Sequence, residues 1–486
     1  MNYKQIEEYI LNIPKFRPEG SIEQTRNFYE FLGKPGKSAS VIHVAGTNGK
    51  GSTCAYMNSV LTEAGYKTGM FTSPHLVSVR ERMRINNNLI SEGEFAACFR
   101  ELTERIEIYN KSEYHHSLTI EGDKSNKEYS RKEREEYIPT FYEFLFFIAM
   151  LYFEEQQAEI IILETGLGGR LDATNVIDAP KVAVITEIGM DHMEYLGDTY
   201  AKIAVEKAGI IKKGSVVVYS ANRQESSVVI ERKAKELDVL CKSVEKSGKG
   251  DYRFVDKKIA FSFFSRYYDY IPIKLDTNAV YQIDNARLAL TAIEEIGVKI
   301  SKESLQNGMK KCKWEGRMEE ILPNVFLDGA HNEDGIDAFI STVEKDECQG
   351  KRWLLFSAVA DKEYILMKEK LIESGLFDYI CASPLRTARG ISKEGLERLF
   401  ANNKTIFAVG KELEEKNAKR KEILADDKVI QEKIESENTM TDLQVRISDS
   451  AYEGLQEILL SKQEKDLVYV TGSLYLVGEI KEQNFG

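Results

Sequence analysis

The chain has 486 residues, more than one hydrophobic core usually serves, so two or three domains are expected. Its formal charge is −12, from 66 basic and 78 acidic side chains, which argues against a general binder of nucleic acid or of anionic membranes. With 42% hydrophobic and 10% aromatic residues it can bury a sizeable core, which excludes wholesale disorder. The opening MNYKQIEEYI has no long apolar stretch behind a basic start, so no secretory leader is expected. The run Val41-Ile42-His43-Val44 reads as a buried strand. It leads into Ala45-Gly46-Thr47-Asn48-Gly49-Lys50-Gly51-Ser52-Thr53 and then a helical pattern. Glycines let backbone N–H groups approach phosphate oxygens, the helix start adds partial positive charge, and Lys50 adds a full one. The strict G-x-x-x-x-G-K-[ST] spacing fails, because Val44 holds the first position and Gly51 separates Lys50 from Ser52. Strand, turn, lysine and hydroxyl together still point to nucleotide binding, with Ser52 the local oxygen ligand for a magnesium ion.

Further along, residues 111–137 are highly charged with mixed signs, as are residues 411–438; both read as solvated insertions. His115 and His116 fall in the first and are expected to do nothing catalytic. The longest apolar run, around Phe144 to Tyr152, is too short to span a bilayer, so a soluble protein without membrane contact is expected. Ile160 to Leu163 reads as a second strand, placing Glu164 at its C-terminal end, the edge where open α/β sheets bind ligands. The glycine-dense Gly166-Leu167-Gly168-Gly169-Arg170-Leu171-Asp172-Ala173-Thr174-Asn175 follows, a turn that allows close backbone–ligand approach. Val182 to Ile185 and Val216 to Val218 continue the series, and Asp191-His192 closes the first of these at the same edge. A helical stretch from about Asn285 to Lys311 precedes a second set of strands at Val325–Leu327, Trp353–Phe356 and Leu467–Val470. Near-continuous apolar strands alternating with helices indicate an α/β fold with a mainly parallel sheet, and the pattern changes near residue 310. That gives expected domains 1–310 and 311–486. The six cysteines lie far apart with no CxxC pair, so neither a zinc ribbon nor a disulfide framework is expected, and a cytoplasmic location is.

Read together, these segments resemble the folate branch of the Mur ligase superfamily, the dihydrofolate synthase/folylpolyglutamate synthases. The resemblance rests on AGTNGKGST at 45–53, TSPHL at 72–76, LETGLGGRLDATN at 163–175 and GMDHMEYLG at 189–197. It continues through EKAGIIK at 206–212, WEGRMEE at 314–320, LDGAHN at 327–332 and TGSLYLVGE at 471–479. It implies an N-terminal phosphate-loop ATPase domain and a smaller C-terminal α/β domain. It implies an ATP-dependent ligase that phosphorylates a folate or dihydropteroate carboxylate and lets L-glutamate displace the phosphate. ATP and two magnesium ions are the implied cofactors, small molecules the only implied partners, and a monomer the expected state. By resemblance, Thr47, Asn48, Gly49, Lys50, Gly51 and Ser52 cradle ATP. Asn285 lies near adenine, Arg317 reaches a phosphate and Asp328 the nucleotide. Ser73, Glu164 and His192 are implied ligands of the second metal, and Lys207 matches a lysine carbamylated by carbon dioxide. Lys50, His192 and Lys207 are thus the implied catalytic residues. Thr140, Phe141, Tyr142 and Glu143, with Leu171, Asp172 and Ala173, match segments that hold the pterin. His331 and Ser473 are candidates for positioning glutamate. A cell-wall Mur ligase, or a phosphate-loop ATPase switch without ligase activity, are the competing readings.

Overall fold

Val41–Val44 becomes the middle of a strand, Ser40–Ala45 (β1), in the computed structural model, which describes residues 1–14, 22–112, 136–248, 250–360, 362–401 and 443–483. Most of the charged segments 111–137 and 411–438, including His115 and His116, lies outside the described residues. By its internal packing the chain divides into two units, residues 1–276 with 282–313, and residues 277–281 with 314–486.

In the first unit the chain adds β2 (Thr68–Phe71), β3 (Met83–Ile85), β4 (Asn88–Leu89), β5 (Ile160–Glu164), β6 (Val182–Ile185), β7 (Val216–Ser220) and β8 (Cys241–Val244). They form an eight-stranded sheet in the order β4-β3-β2-β5-β1-β6-β7-β8. Every pairing from β2 to β8 is parallel, and only the β2–β3 and β3–β4 edge is antiparallel. The parallel strands β1, β2, β5, β6 and β7 carry mostly buried residues, the signature of a sheet covered on both faces. Register pairs Val44 with Glu164, so the phosphate loop and the acidic strand end leave the sheet side by side. The apolar run around Phe144 belongs to the helix Phe141–Glu155, buried on nearly all sides. Gly69 on β2 makes room for it: a Cβ there would stand 2.8 Å from the Phe153 ring.

The helical stretch expected from about Asn285 to Lys311 is two helices, Gln282–Glu295 and Lys302–Lys311, broken where Gly297 takes φ +80°. An element with no counterpart in the sequence reading precedes them. Strands β9 (Tyr252–Val255), β10 (Lys258–Ser265) and β11 (Asp269–Leu275) make a three-stranded antiparallel sheet. Its inward residues alternate along β11 as Ile271, Ile273 and Leu275, a period-2 pattern in plain view.

The second unit holds β12 (Glu319–Leu322), β13 (Val325–Leu327), β14 (Arg352–Phe356), β15 (Tyr379–Ala382), β16 (Gln444–Ile447) and β17 (Leu467–Thr471). Their order is β12-β13-β17-β14-β15-β16, parallel except for β12–β13. Buried Phe339, Phe356, Phe377 and Tyr469 fill one face of this sheet.

Candidate active site

The phosphate loop is shaped by two glycines with positive φ, Gly46 at +153° and Gly49 at +87°. Gly49 caps the helix Lys50–Glu63, and a Cβ there would meet Asn285 Oδ1 at 2.2 Å. The loop is tied to its neighbour through Thr47 N–H and Asn48 N–H, which donate to Glu187 O at 2.8 and 3.2 Å. Thr47 Oγ1 donates to Gly189 O at 3.1 Å. Asn285, expected near adenine, lies against the loop at Gly49, and it donates through Nδ2 to Gln282 Oε1 at 3.0 Å. Gln282 in turn donates through Nε2 to Ser52 Oγ at 3.1 Å. Gln282 was missed in the sequence, although it stands three residues before Asn285 on the same helical face.

Two lysines meet on one carbonyl. Gly46 O accepts from Lys50 Nζ at 3.0 Å and from Lys207 Nζ at 2.7 Å. Lys50 also donates to Thr47 O at 3.1 Å. Lys207 comes from the helix Tyr200–Ala208 and is 3% exposed. Burial, then the neighbouring Lys50 charge, pushes its amine well below the usual lysine range, with Asp191 and Asp172 opposing. The helix reaches the loop because Gly169 lets the glycine-rich turn close on it: a Cβ there would be 2.9 Å from the carbonyls of Glu206 and Lys207. Arg170 N–H donates to Glu206 O at 2.8 Å, and its guanidinium pairs with the Glu206 carboxylate at 3.0 Å.

Beside the loop, Glu164 is 2% exposed and accepts from Ser73 N–H at 3.1 Å. Tyr142 hydroxyl donates to Glu164 O at 2.8 Å and also meets the Ser73 side chain. His192 takes φ +52° at the start of the short helix Met193–Leu196, its N–H on Asp191 Oδ1 at 2.8 Å and its ring Nε2 at 3.9 Å from that oxygen. Among the described residues no group of three or more His, Cys, Asp and Glu side chains converges as a metal cage. The oxygens of Ser52, Ser73 and Glu164 are nonetheless hard donors at the sheet edge. That set fits magnesium, which keeps few protein ligands and completes its shell with phosphate oxygens and water.

The residues expected to hold the pterin also make local contacts of their own. Thr140 and Glu143 form a capping box on the helix Phe141–Glu155, each side chain accepting from the other's backbone N–H at 3.4 and 2.6 Å. Glu143 also accepts from Thr25 Oγ1 at 2.5 Å. Phe141 is buried against the Arg82 guanidinium at 5.4 Å, and the Tyr142 ring lies against Gly166. The Asp172 carboxylate accepts from Gly166 N–H and Leu167 N–H at 2.8 and 2.9 Å on one oxygen, and from Thr174 N–H and Oγ1 at 3.0 and 2.5 Å on the other. A carboxylate has about four acceptor sites, so Asp172 shapes the turn and has little left for a pterin ring. Ala173 is buried, whereas Leu171 is 59% exposed and open to a ligand.

The second unit gathers its own polar group. Asp328 is 2% exposed and accepts from Tyr281 hydroxyl at 2.5 Å, Met318 N–H at 3.0 Å and Ala330 N–H at 2.9 Å. Burial raises its carboxyl above the usual range, opposed by Arg317 and these hydrogen bonds. It therefore braces the LDGAHN turn. Arg317 donates to Gly316 O at 2.8 Å and lies within 2.4 Å of where a Gly329 Cβ would be. His331 Nδ1 is 2.7 Å from Gly329 O. Ser473 caps the helix Leu474–Lys481, accepting from Tyr475 N–H at 3.1 Å.

Residues 137–293 match the family model described as the Mur ligase middle domain. The dihydrofolate synthase/folylpolyglutamate synthase of Bacillus subtilis is 34% identical over 380 residues, 76% of this chain and 82% of the relative. The folylpolyglutamate synthase of Mycobacterium tuberculosis, solved with ADP, superimposes with a TM-score of 0.78 at 23% identity, covering 99% of this chain and 98% of that one. Escherichia coli FolC, solved with DHPP and ADP, gives a TM-score of 0.75 at 24% identity, covering 99% and 97%. The structural likenesses bear on the fold.

Proposed function

We infer the reaction from kinship: the chain belongs to the dihydrofolate synthase/folylpolyglutamate synthase family, the folate branch of the Mur ligases, and is an ATP-dependent ligase that adds L-glutamate to a folate or dihydropteroate carboxylate. The observation that carries the site assignment is the meeting of Lys50 and Lys207 on the Gly46 carbonyl of the phosphate loop.

A carboxylate is a poor electrophile, so the γ-phosphoryl group of ATP must first be transferred to it, giving an acyl phosphate that the glutamate amine displaces. With Thr47 and Asn48 N–H held by Glu187 O, the N–H groups from Gly49 to Ser52 at the helix start bind the phosphates, and Lys50 neutralises charge on the migrating group. Magnesium, held by Ser52 at one position and by Ser73, Glu164 and His192 at a second, would withdraw charge from the phosphate oxygens. The depressed amine of Lys207 is suited to react with carbon dioxide, giving a carbamate with release of one proton. A carbamate here turns a donor into an anion beside Asp191-His192, able to orient the imidazole. On the second unit, a carbonyl can only accept, so His331 donates through Nδ1 to Gly329 O and is read as a residue that positions glutamate. Ser473 is read with it as a glutamate-positioning residue, and Arg317 as a phosphate contact.

The exposed Leu171, on the turn that Asp172 shapes, is the pterin-side residue retained in this reading. The enzyme is read as a cytoplasmic monomer. Six free cysteines support a reducing compartment, and no helix among the described residues is long and apolar enough to cross a membrane. Mass spectrometry of products from dihydropteroate and from tetrahydrofolate, each with ATP and L-glutamate, tests the reaction. A glutamylated product from at least one acceptor is expected, and none from either would refute the assignment.

A further inference from the structure

We infer that the Thr186 hydroxyl is a buried hydrogen-bond donor reserved for an oxyanion that comes to lie beside Gly46. Thr186 is the first residue beyond β6, pinned to the end of β1 by its N–H, which donates to Ala45 O at 2.8 Å. It is 1% exposed, and its Oγ1 has no hydrogen-bond partner. Buried hydroxyls are rarely left so, because desolvation without a partner costs free energy.

The hydroxyl borders the phosphate loop directly. Any Cβ at position 46 would stand 1.8 Å from Thr186 Oγ1, so glycine at 46 is what admits the hydroxyl. The Gly46 carbonyl does not relieve it, since two lysines already occupy that oxygen. What the corner offers is a set of donors: Lys50, Lys207 and the Thr186 hydroxyl. What it lacks, among the described residues, is an acceptor for the Thr186 hydroxyl, and the chemistry that fits is a negatively charged oxygen.

Two sources could bring one, a phosphate group of the bound nucleotide or a carbamate on Lys207. In the second, the Lys207 amine forms a new N–C bond to carbon dioxide, one proton leaves the nitrogen for solvent, and the added carboxylate supplies two acceptor oxygens. The inference rests on the reading of this loop as the ATP site and of Lys207 as the carbamylated lysine.

The test compares Thr186→Val, which removes the hydroxyl at nearly constant volume, with Thr186→Ser, which keeps it. One arm measures ADP affinity by calorimetry in buffer stripped of carbon dioxide. The other measures carbamate on Lys207 by carbon NMR after equilibration with isotopically labelled bicarbonate. Melting curves check folding, and Thr186→Ala replaces the valine variant should that fail to fold. The hydroxyl-free variant should lower ADP affinity or carbamate occupancy about ten- to a hundred-fold, with serine restoring it. A loss confined to ADP assigns the phosphate, and a loss confined to the carbamate assigns Lys207. Changes below about two-fold in both arms, or a loss that serine does not restore, would overturn the inference. A wild type that bound neither ADP nor carbon dioxide would instead remove the reading on which it rests, and the inference with it.

Discussion

Asp172 separates two accounts of the glycine-rich turn. If its carboxylate held the pterin ring, as the family pattern implies, Asp172→Ala would penalise dihydropteroate more than an acceptor with a glutamate tail. The geometry leads elsewhere, because both oxygens are spent on the turn: Gly166 N–H, Leu167 N–H, Thr174 N–H and Thr174 Oγ1 all donate to it. Bonds to a charged acceptor contribute about 1.5–3 kcal/mol each, so the simple sum is about 6–12 kcal/mol. Gly166 is exposed and recovers water when the carboxylate goes, whereas Thr174 is fully buried and does not. A net loss of about 3–5 kcal/mol is therefore expected. Asp172→Asn should do little better, since an amide NH₂ would face two backbone donors or the threonine pair. Denaturant unfolding gives the stability, and kcat/KM for both acceptors gives the function. Stability should drop and both activities should fall together. A selective loss on dihydropteroate with stability unchanged would instead return Asp172 to the pterin.

Lys50→Ala removes the charge nearest the transferred phosphoryl group and should cost on the order of 10²–10³ in turnover, measured by steady-state ADP release. Lys207→Ala should be nearly inactive and partly rescued by short carboxylates, while intact-mass measurement of the wild type under mild conditions should find the added carboxyl group. His43 is fully buried on β1 and its Nε2 is 2.8 Å from Thr174 Oγ1. Burial, then the positive Lys212, lowers its pKa to about 3. Its folded pKa lies below the unfolded value, so its contribution is complete above about pH 6.5 and fades as pH falls towards 3, by about 1.4 kcal/mol per unit. Unfolding curves between pH 7 and 4 should show this slope, and His43→Gln should flatten it.

Strand positions were legible because parallel strands buried on both faces must be continuous apolar runs, as at Val182–Ile185 and Leu467–Val470. The phosphate loop was legible because glycines, lysine and hydroxyl have to be adjacent in sequence to act on one anion. What was not legible depends on partners far along the chain. Nothing near Gly46 in sequence announces that Lys207, 161 residues on, donates to its carbonyl, and the place of Lys207 came from resemblance. The reading of Thr140 to Glu143 as pterin contacts passed over a local signal, since T-x-x-E before an apolar run is itself a capping box. Asp172 likewise precedes Ala-Thr-Asn, a setting in which a short carboxylate turns back onto its own backbone. Both segments carry a local structural role beside the pterin contacts that the resemblance implies.

If ATP activates the acceptor's own carboxylate, an oxygen of that carboxylate must leave with the phosphate, and an isotope experiment follows it. The acceptor is prepared with heavy oxygen in that carboxylate and turned over with ATP and L-glutamate, and the released phosphate is analysed by mass spectrometry. Displacement of an acyl phosphate carries one carboxylate oxygen away with the phosphate, so the label should appear there in step with amide formation. Phosphate released without label, or released equally well when acceptor or glutamate is omitted, would contradict the account and leave a phosphate-loop ATPase in its place.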